Sequence, residues 1–168
     1  MRPRRFTYTL AALDADGYVT SVNTNGVAVG AAFTLAASGA GDGCSHPVTI
    51  YSTANISGVV FTLTGTDAEG RTISEDLTGG NASPTVTSVK YYATLTSVVK
   101  KSGAGGADAF TVGWTALART PIYPVNTYGT VGPVMSVDMG GTVTYSGMAT
   151  NGNVFSLASD TIYFEAVT

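Results

Sequence analysis

Residues 58–77, GVVFTLTGTDAEGRTISEDL, decide the fold because they contain two strand patterns and the turn between them. Apolar and polar residues alternate from Val59 to Thr64, and this period of two is typical of a strand with one buried face. Asp67 and Gly70 stand first and fourth in the intervening tetrad, their preferred positions in a type I turn. The stretch therefore predicts an antiparallel hairpin.

The same alternation recurs outside the hairpin, most clearly in residues 27–35, 85–99 and 110–114. No window has the spacing of an amphipathic helix over three turns. We therefore predict an all-β protein, an antiparallel β-sandwich of jelly-roll or immunoglobulin-like type. The core is predicted at 45–126, with a β-rich N-terminal arm at 1–44 and a C-terminal β extension at 127–168.

Tyrosines on the less apolar side of their strands are candidates for a subunit interface, because tyrosine supplies a large and rigid contact area. Strict alternation in 85–99 places Val89 and Leu95 on the buried face and Tyr92 on the opposite face. Tyr51 and Tyr163 fall on the less apolar side in the same way. We predict that these three tyrosines contact a neighbouring subunit.

The N-terminus carries a basic cluster in a chain that otherwise has few charges. Arg2, Arg4 and Arg5 precede Phe6, whereas charged residues form only 11% of the sequence and the net charge is -3. An acidic chain does not favour nucleic acid as its partner. The cluster and Phe6 predict an arm that docks on an acidic neighbouring surface; a solvated terminus is the alternative.

No membrane segment and no export signal are predicted. The charge-free span 17–41 is long enough to cross a bilayer but contains too many polar residues. The apolar run after the first arginines is short and ends at Asp14. We expect synthesis in the cytoplasm without secretion.

Four carboxylates in 67–76 raise the question of a metal or catalytic site, and Asp14–Gly17 repeats the Asp-x-acid-Gly pattern of Asp67–Gly70. A calcium loop of the helix-loop-helix type also needs oxygen ligands at its fifth and twelfth positions, which the sequence does not supply well in either copy. Both tetrads are therefore predicted to be turns. Glu75 shares a face with apolar neighbours, so we predict that it is hydrogen-bonded inside the sandwich or carried outward by a bulge at Glu75–Asp76.

Cys44 and His46 are the only cysteine and the only histidine in the chain. A thiolate nucleophile also needs an orienting group, and zinc needs three or four ligands, which this sequence does not provide. We predict no enzymatic activity, no metal or other cofactor and no small-molecule substrate. A hydrolase that uses His46 or the carboxylates is the alternative.

The run 48–99, from VTIYSTANISGVVFTLTG to VKYYATLTSVV, resembles small β-rich structural proteins of tailed bacteriophage particles. The resemblance lies in the order of strands and turns: the SGVVFTLTGTDAEG hairpin, the ISEDLTG strand, a Gly/Asn loop and the VKYYATLTSV strand. It implies a virion component, first of all a capsid decoration or cement protein.

The partners implied by this resemblance are the major capsid protein and copies of the chain itself, as a trimer or dimer. Many strands with little charge also predict exposed ladder edges, which such partners would cover. The alternatives are a tail, collar or fibre component of the virion, and a carbohydrate-binding module with Tyr92 as its platform.

Overall fold

The computed structural model describes residues 3–104, 106–119, 154–155 and 161–167. The strands are β1 Pro3–Thr9, β2 Asp14–Asn23, β3 His46–Tyr51, β4 Val60–Thr66, β5 Thr72–Thr78, β6 Val86–Tyr92, β7 Thr94–Ser102, β8 Ala109–Trp114, β9 Ala118–Arg119, β10 Val154–Phe155 and β11 Thr161–Val167. No helix occurs among these residues, so the predicted all-β class is confirmed.

Two antiparallel sheets form the sandwich. The larger sheet has the order β2-β8-β3-β6 and the smaller sheet the order β5-β4-β7. The hairpin predicted from residues 58–77 is the β4–β5 pair, which closes at Thr66 opposite Thr72. In its turn the Gly70 amide donates to the Asp67 carbonyl at 3.0 Å, and Gly70 has a φ of 77°. The turn prediction for Asp67–Gly70 is confirmed.

The core lies between the two sheets and is centred on three phenylalanines. The Phe110 ring lies 4.9 Å from the rings of both Phe33 and Phe61, measured between centroids. The strands add the buried apolar side chains Val19, Val48, Ile50, Leu63, Leu77, Leu95, Val98 and Val112. Phe33 reaches this core from the long connection between β2 and β3.

Residues 85–99 do not form the single strand that their alternation predicts. The chain leaves the larger sheet at the end of β6 and enters the smaller sheet with β7, so Ala93 is the crossover. The β3–β6 register also shifts between the pairs Pro47–Tyr91 and Thr49–Thr87. Each irregularity changes which residues face inward. Val89, predicted to be buried, is 84% exposed.

The segment 27–35, predicted as a strand, is an extended connection that covers sheet edges. The Phe33 amide donates to the Val98 carbonyl of β7, and the Ala36 amide donates to the Tyr18 carbonyl of β2. Because β7 and β2 are edge strands of the two sheets, the connection closes this side of the sandwich. The exposed edges predicted from the sequence are therefore covered here by the chain itself.

The tetrad Asp14–Gly17 was predicted to be a turn, but it lies within β2, and β2 pairs with β8 in the larger sheet. The register is irregular between Asp14 and Val19, which accommodates the tetrad inside the strand. β2 thus belongs to the sandwich, although the sequence assigned residues 1–44 to an arm. The predicted C-terminal extension lies mostly outside the described residues.

Candidate interface and the junction with the terminal strands

Tyr92 is fully buried, which contradicts its prediction as an interface residue. The crossover at Ala93 and the irregular register of β6 turn its ring into the core. Burial, followed by the nearby Glu75 carboxylate, raises the pKa of the Tyr92 hydroxyl far above its ordinary value. A buried ring cannot stack on a sugar, so the platform proposed for carbohydrate binding does not exist in this conformation.

The remaining candidate tyrosines lie elsewhere. Tyr51 is half-buried at the end of β3 and lies opposite Thr111 of β8. Tyr163 is on β11, where the register places it opposite Thr7. Because Tyr92 is buried, the three tyrosines do not form one exposed surface.

The two chain ends converge in one antiparallel sheet, formed by β1 and β11. Arg4, Arg5 and Phe6 are on β1, and the register places Glu165 opposite Arg5. Arg2 lies outside the described residues. An acidic position thus stands across from one of the arginines within the same chain.

The connection from β1 to the sandwich is anchored beside Trp114, the only tryptophan. The Trp114 indole Nε1 donates to the Ala12 carbonyl at 3.0 Å, and the Ala11 amide donates to Asp42 Oδ2 at 2.8 Å. Leu10 is 2% exposed. These contacts fix the position at which the N-terminal strand leaves the core.

His46 is fully buried beside this anchor and is bonded through both ring nitrogens. Its Nε2 lies 2.8 Å from Asp42 Oδ2, and its Nδ1 lies 3.0 Å from the Thr115 carbonyl oxygen. A carboxylate and a carbonyl can only accept, so both bonds form when each ring nitrogen carries a hydrogen. The geometry therefore fits a buried imidazolium paired with a buried carboxylate.

Asp42 accepts three hydrogen bonds. Besides His46 and the Ala11 amide, the Cys44 amide donates to its Oδ1 at 2.9 Å. Burial alone would raise the pKa of Asp42, but the hydrogen bonds from His46, Ala11 and Cys44, together with the charge of His46, lower it overall. The ionised carboxylate is the form that this environment stabilises.

Cys44 shares this buried cluster but lacks the properties of a nucleophile. Its side chain is 3% exposed, and burial, followed by the Asp42 charge, raises the pKa of the thiol to about 12. Reactive thiols have a lowered pKa and are accessible to substrate. Cys44 therefore fits a structural role.

Glu75 links one edge of the smaller sheet to one edge of the larger sheet. Its two carboxylate oxygens accept hydrogen bonds from the main-chain amides of Val89 and Lys90, both at 2.9 Å. The Lys90 ammonium in return donates to the Ser74 carbonyl at 2.6 Å. β5 and β6 are edge strands of different sheets, so these bonds join two edges. Glu75 is hydrogen-bonded, as the first alternative predicted, but at the margin of the sandwich and not inside it.

The bulge predicted at Glu75–Asp76 is absent from the regular β4–β5 register; the register shift occurs in β6 instead. There the Ser88 hydroxyl accepts a hydrogen bond from the Val48 amide and donates to the Lys90 carbonyl. Glu75 accepts hydrogen bonds from two main-chain amides of the same irregular segment.

We predict that Glu75→Ala lowers the free energy of unfolding by about 1 kcal/mol, because two amides lose a charged acceptor at a half-exposed site that water can enter. Amide hydrogen exchange measured by NMR would show faster exchange at Val89 and Lys90. Glu69→Ala, at the turn of the hairpin, is the matched control and should leave both amides unchanged. Equal protection in the two variants would contradict the assigned role.

Among the described residues, no group of three metal-binding side chains comes together, and no helix is long and apolar enough to span a bilayer. Comparison with protein-family models, with curated proteins and with solved structures found no match to this chain.

Proposed function

We propose that this chain is a structural protein of a tailed-phage virion that binds the outer surface of the capsid shell as a decoration or cement protein. The major capsid protein and further copies of the chain would be its partners. The resemblance of residues 48–99 motivates this proposal, and the antiparallel sandwich is a fold that suits it.

The observation that carries the proposal is the pairing of the chain ends. The β1–β11 register opposes Phe6 to Phe164 and Tyr8 to Ile162. Directly opposed residues lie on the same face of a sheet, so these four positions share one face, and Thr7 with Tyr163 lies on the other. We call the four positions the apolar ribbon face.

Among the described residues, β1 and β11 are joined by no third strand. A two-stranded sheet is marginally stable in water unless an apolar face packs against something else. A neighbouring subunit that covers the apolar ribbon face would supply this packing. Many copies of such a modest contact would then strengthen a shell by adding binding free energy at each site.

Binding to purified heads of the phage that encodes the chain tests the proposal. Wild-type protein should sediment with expanded heads, and light scattering should show a trimer or dimer. Phe6→Ser should weaken head binding about tenfold or more, since truncation of a central aromatic contact typically costs about 2 kcal/mol. Thr7→Ser, one position away on the opposite face, is the matched control.

Each outcome separates the alternatives. Wild-type binding to isolated tails but not to heads would contradict head decoration and favour a tail, collar or fibre component. Equal head binding by Phe6→Ser and wild type would remove the apolar ribbon face from the interface. Binding to neither part of the particle would refute the virion proposal.

A further inference from the structure

The buried pair of His46 and Asp42 lies between two chain segments, the one that joins β1 to the sandwich and the one that follows β8. On one side Asp42 accepts the amide of Ala11, two residues after β1 ends. On the other side His46 contacts the carbonyl of Thr115, the residue that follows β8. Both connections therefore contact one buried acid–histidine pair.

The two contacts of His46 respond differently to the loss of a proton. If the neutral ring keeps its hydrogen on Nε2, the bond to Asp42 survives, but an unprotonated Nδ1 then faces the Thr115 carbonyl oxygen at 3.0 Å. Two acceptors at that distance repel each other. The bond to Thr115 is therefore the one that needs the second proton.

We propose that the His46–Asp42 pair is a pH-dependent latch. The doubly protonated imidazole holds the segment from Thr115 to Arg119 against the sandwich through the bond to the Thr115 carbonyl. Loss of the Nδ1 hydrogen breaks this bond and lets the segment open. This segment has few other hydrogen bonds to the sandwich, and its residues Ala118 and Arg119 also pair with β10. The Thr115 amide donates to the Pro47 carbonyl at 3.2 Å, and Ser45 and Arg119 exchange two backbone hydrogen bonds of 2.8 Å. All of these bonds end on residues adjacent to His46.

None of the groups named below that surround the pair is basic, so His46 is the basic member of the latch. The connection before β3 contributes Asp42 and the neutral thiol of Cys44, and β2 contributes Tyr18, whose pKa is raised by burial and then by Asp42. β6 places the buried Tyr92 opposite His46 in the register. β8 contributes the uncharged Trp114.

Arg119, the one cationic residue in the segment from Thr115 to Arg119, contacts Tyr91 and not the latch. The Arg119 guanidinium lies 4.1 Å from the centre of the Tyr91 ring, so its charge is engaged at a different side chain. The latch is therefore closed while Asp42 is ionised and both His46 ring nitrogens carry a hydrogen.

The chain of 168 residues allows a direct test because His46 is its only histidine. Nitrogen NMR of the ring should show both nitrogens protonated in mildly acidic solution. A titration from about pH 5 to about pH 8.5 spans the ordinary range of histidine. As the Nδ1 hydrogen is lost, exchange protection of the Leu117 and Arg119 amides should fall about tenfold or more, as expected for a lost charge-assisted bond.

The core amides of Ile50 and Val112 are the internal control, and their protection should not follow the ring titration. His46→Gln, which does not titrate, should abolish the pH dependence at Leu117 and Arg119. If that variant does not fold, the wild-type titration decides alone. A ring with one hydrogen throughout, or loss of the Nδ1 hydrogen with unchanged protection of both amides, would overturn the proposal.

Discussion

Gly113→Ala is expected to lower the free energy of unfolding by about 3 kcal/mol, at the upper end of the cost of overpacking. A Cβ at Gly113 would lie 1.9 Å from the Asp14 carbonyl oxygen and 2.5 Å from the Ala15 carbonyl carbon. Both are main-chain atoms, so no side chain can turn away to make room. The change would force β2 away from β8 along the edge of the larger sheet.

Equilibrium unfolding in denaturant measures this effect. Gly58→Ala is the matched control, because a Cβ at Gly58 has no neighbour within 4 Å. We expect the control to stay within about 0.5 kcal/mol of wild type. A Gly113→Ala variant as stable as the control would show that β2 does not cross Gly113 as closely as described.

Local rules were sufficient for the hairpin and for the fold class. In residues 58–77, period-two alternation and the Asp67–Gly70 turn specify both strands and the register between them, since a short turn fixes pairing. These signals act between residues that are close in the sequence. The sandwich prediction rests on the same local signals repeated along the chain.

Long-range pairing was not encoded in these patterns. Alternation in 85–99 continues across Ala93, yet the chain changes sheets there, so the predicted faces of Val89 and Tyr92 were reversed. Nothing in the sequence indicated that Asp14 and Ala15 would cover Gly113. Which strand lies beside another depends on packing of the whole domain.

In the candidate site, too, local signals could be read from the sequence, whereas contacts between distant residues could not. Glu75 was identified as an unusual carboxylate, but its partners are main-chain amides, which every residue has and which no pattern marks. For His46 a usable signal existed: Gly41 and Gly43 flank Asp42 and adopt positive φ values of 83° and 75°. Glycines on both sides of an acid near the only histidine indicate a backbone that bends to bring the two together.

Asp42→Ala is expected to lower the free energy of unfolding by about 3–5 kcal/mol, the typical cost of removing one partner from a buried ion pair. The His46 imidazolium would lose its counter-ion, and the Ala11 and Cys44 amides would lose their acceptor. Asp76→Ala is the matched control. The Asp76 carboxylate pairs with Lys101 at the surface, where solvent replaces the lost contact, so this variant should change little.

The pH dependence of the Asp42 effect follows from the lowered pKa of its carboxyl group. A carboxyl whose pKa is lower in the folded state stabilises the protein above its unfolded pKa, about 3.9, and this contribution disappears as the pH falls through the folded value. Wild type should therefore lose stability in acid more steeply than Asp42→Ala, and the difference between them should narrow below about pH 4. Parallel stability curves for the two proteins from neutral to acidic pH would show that Asp42 is not ionised and paired in the folded chain.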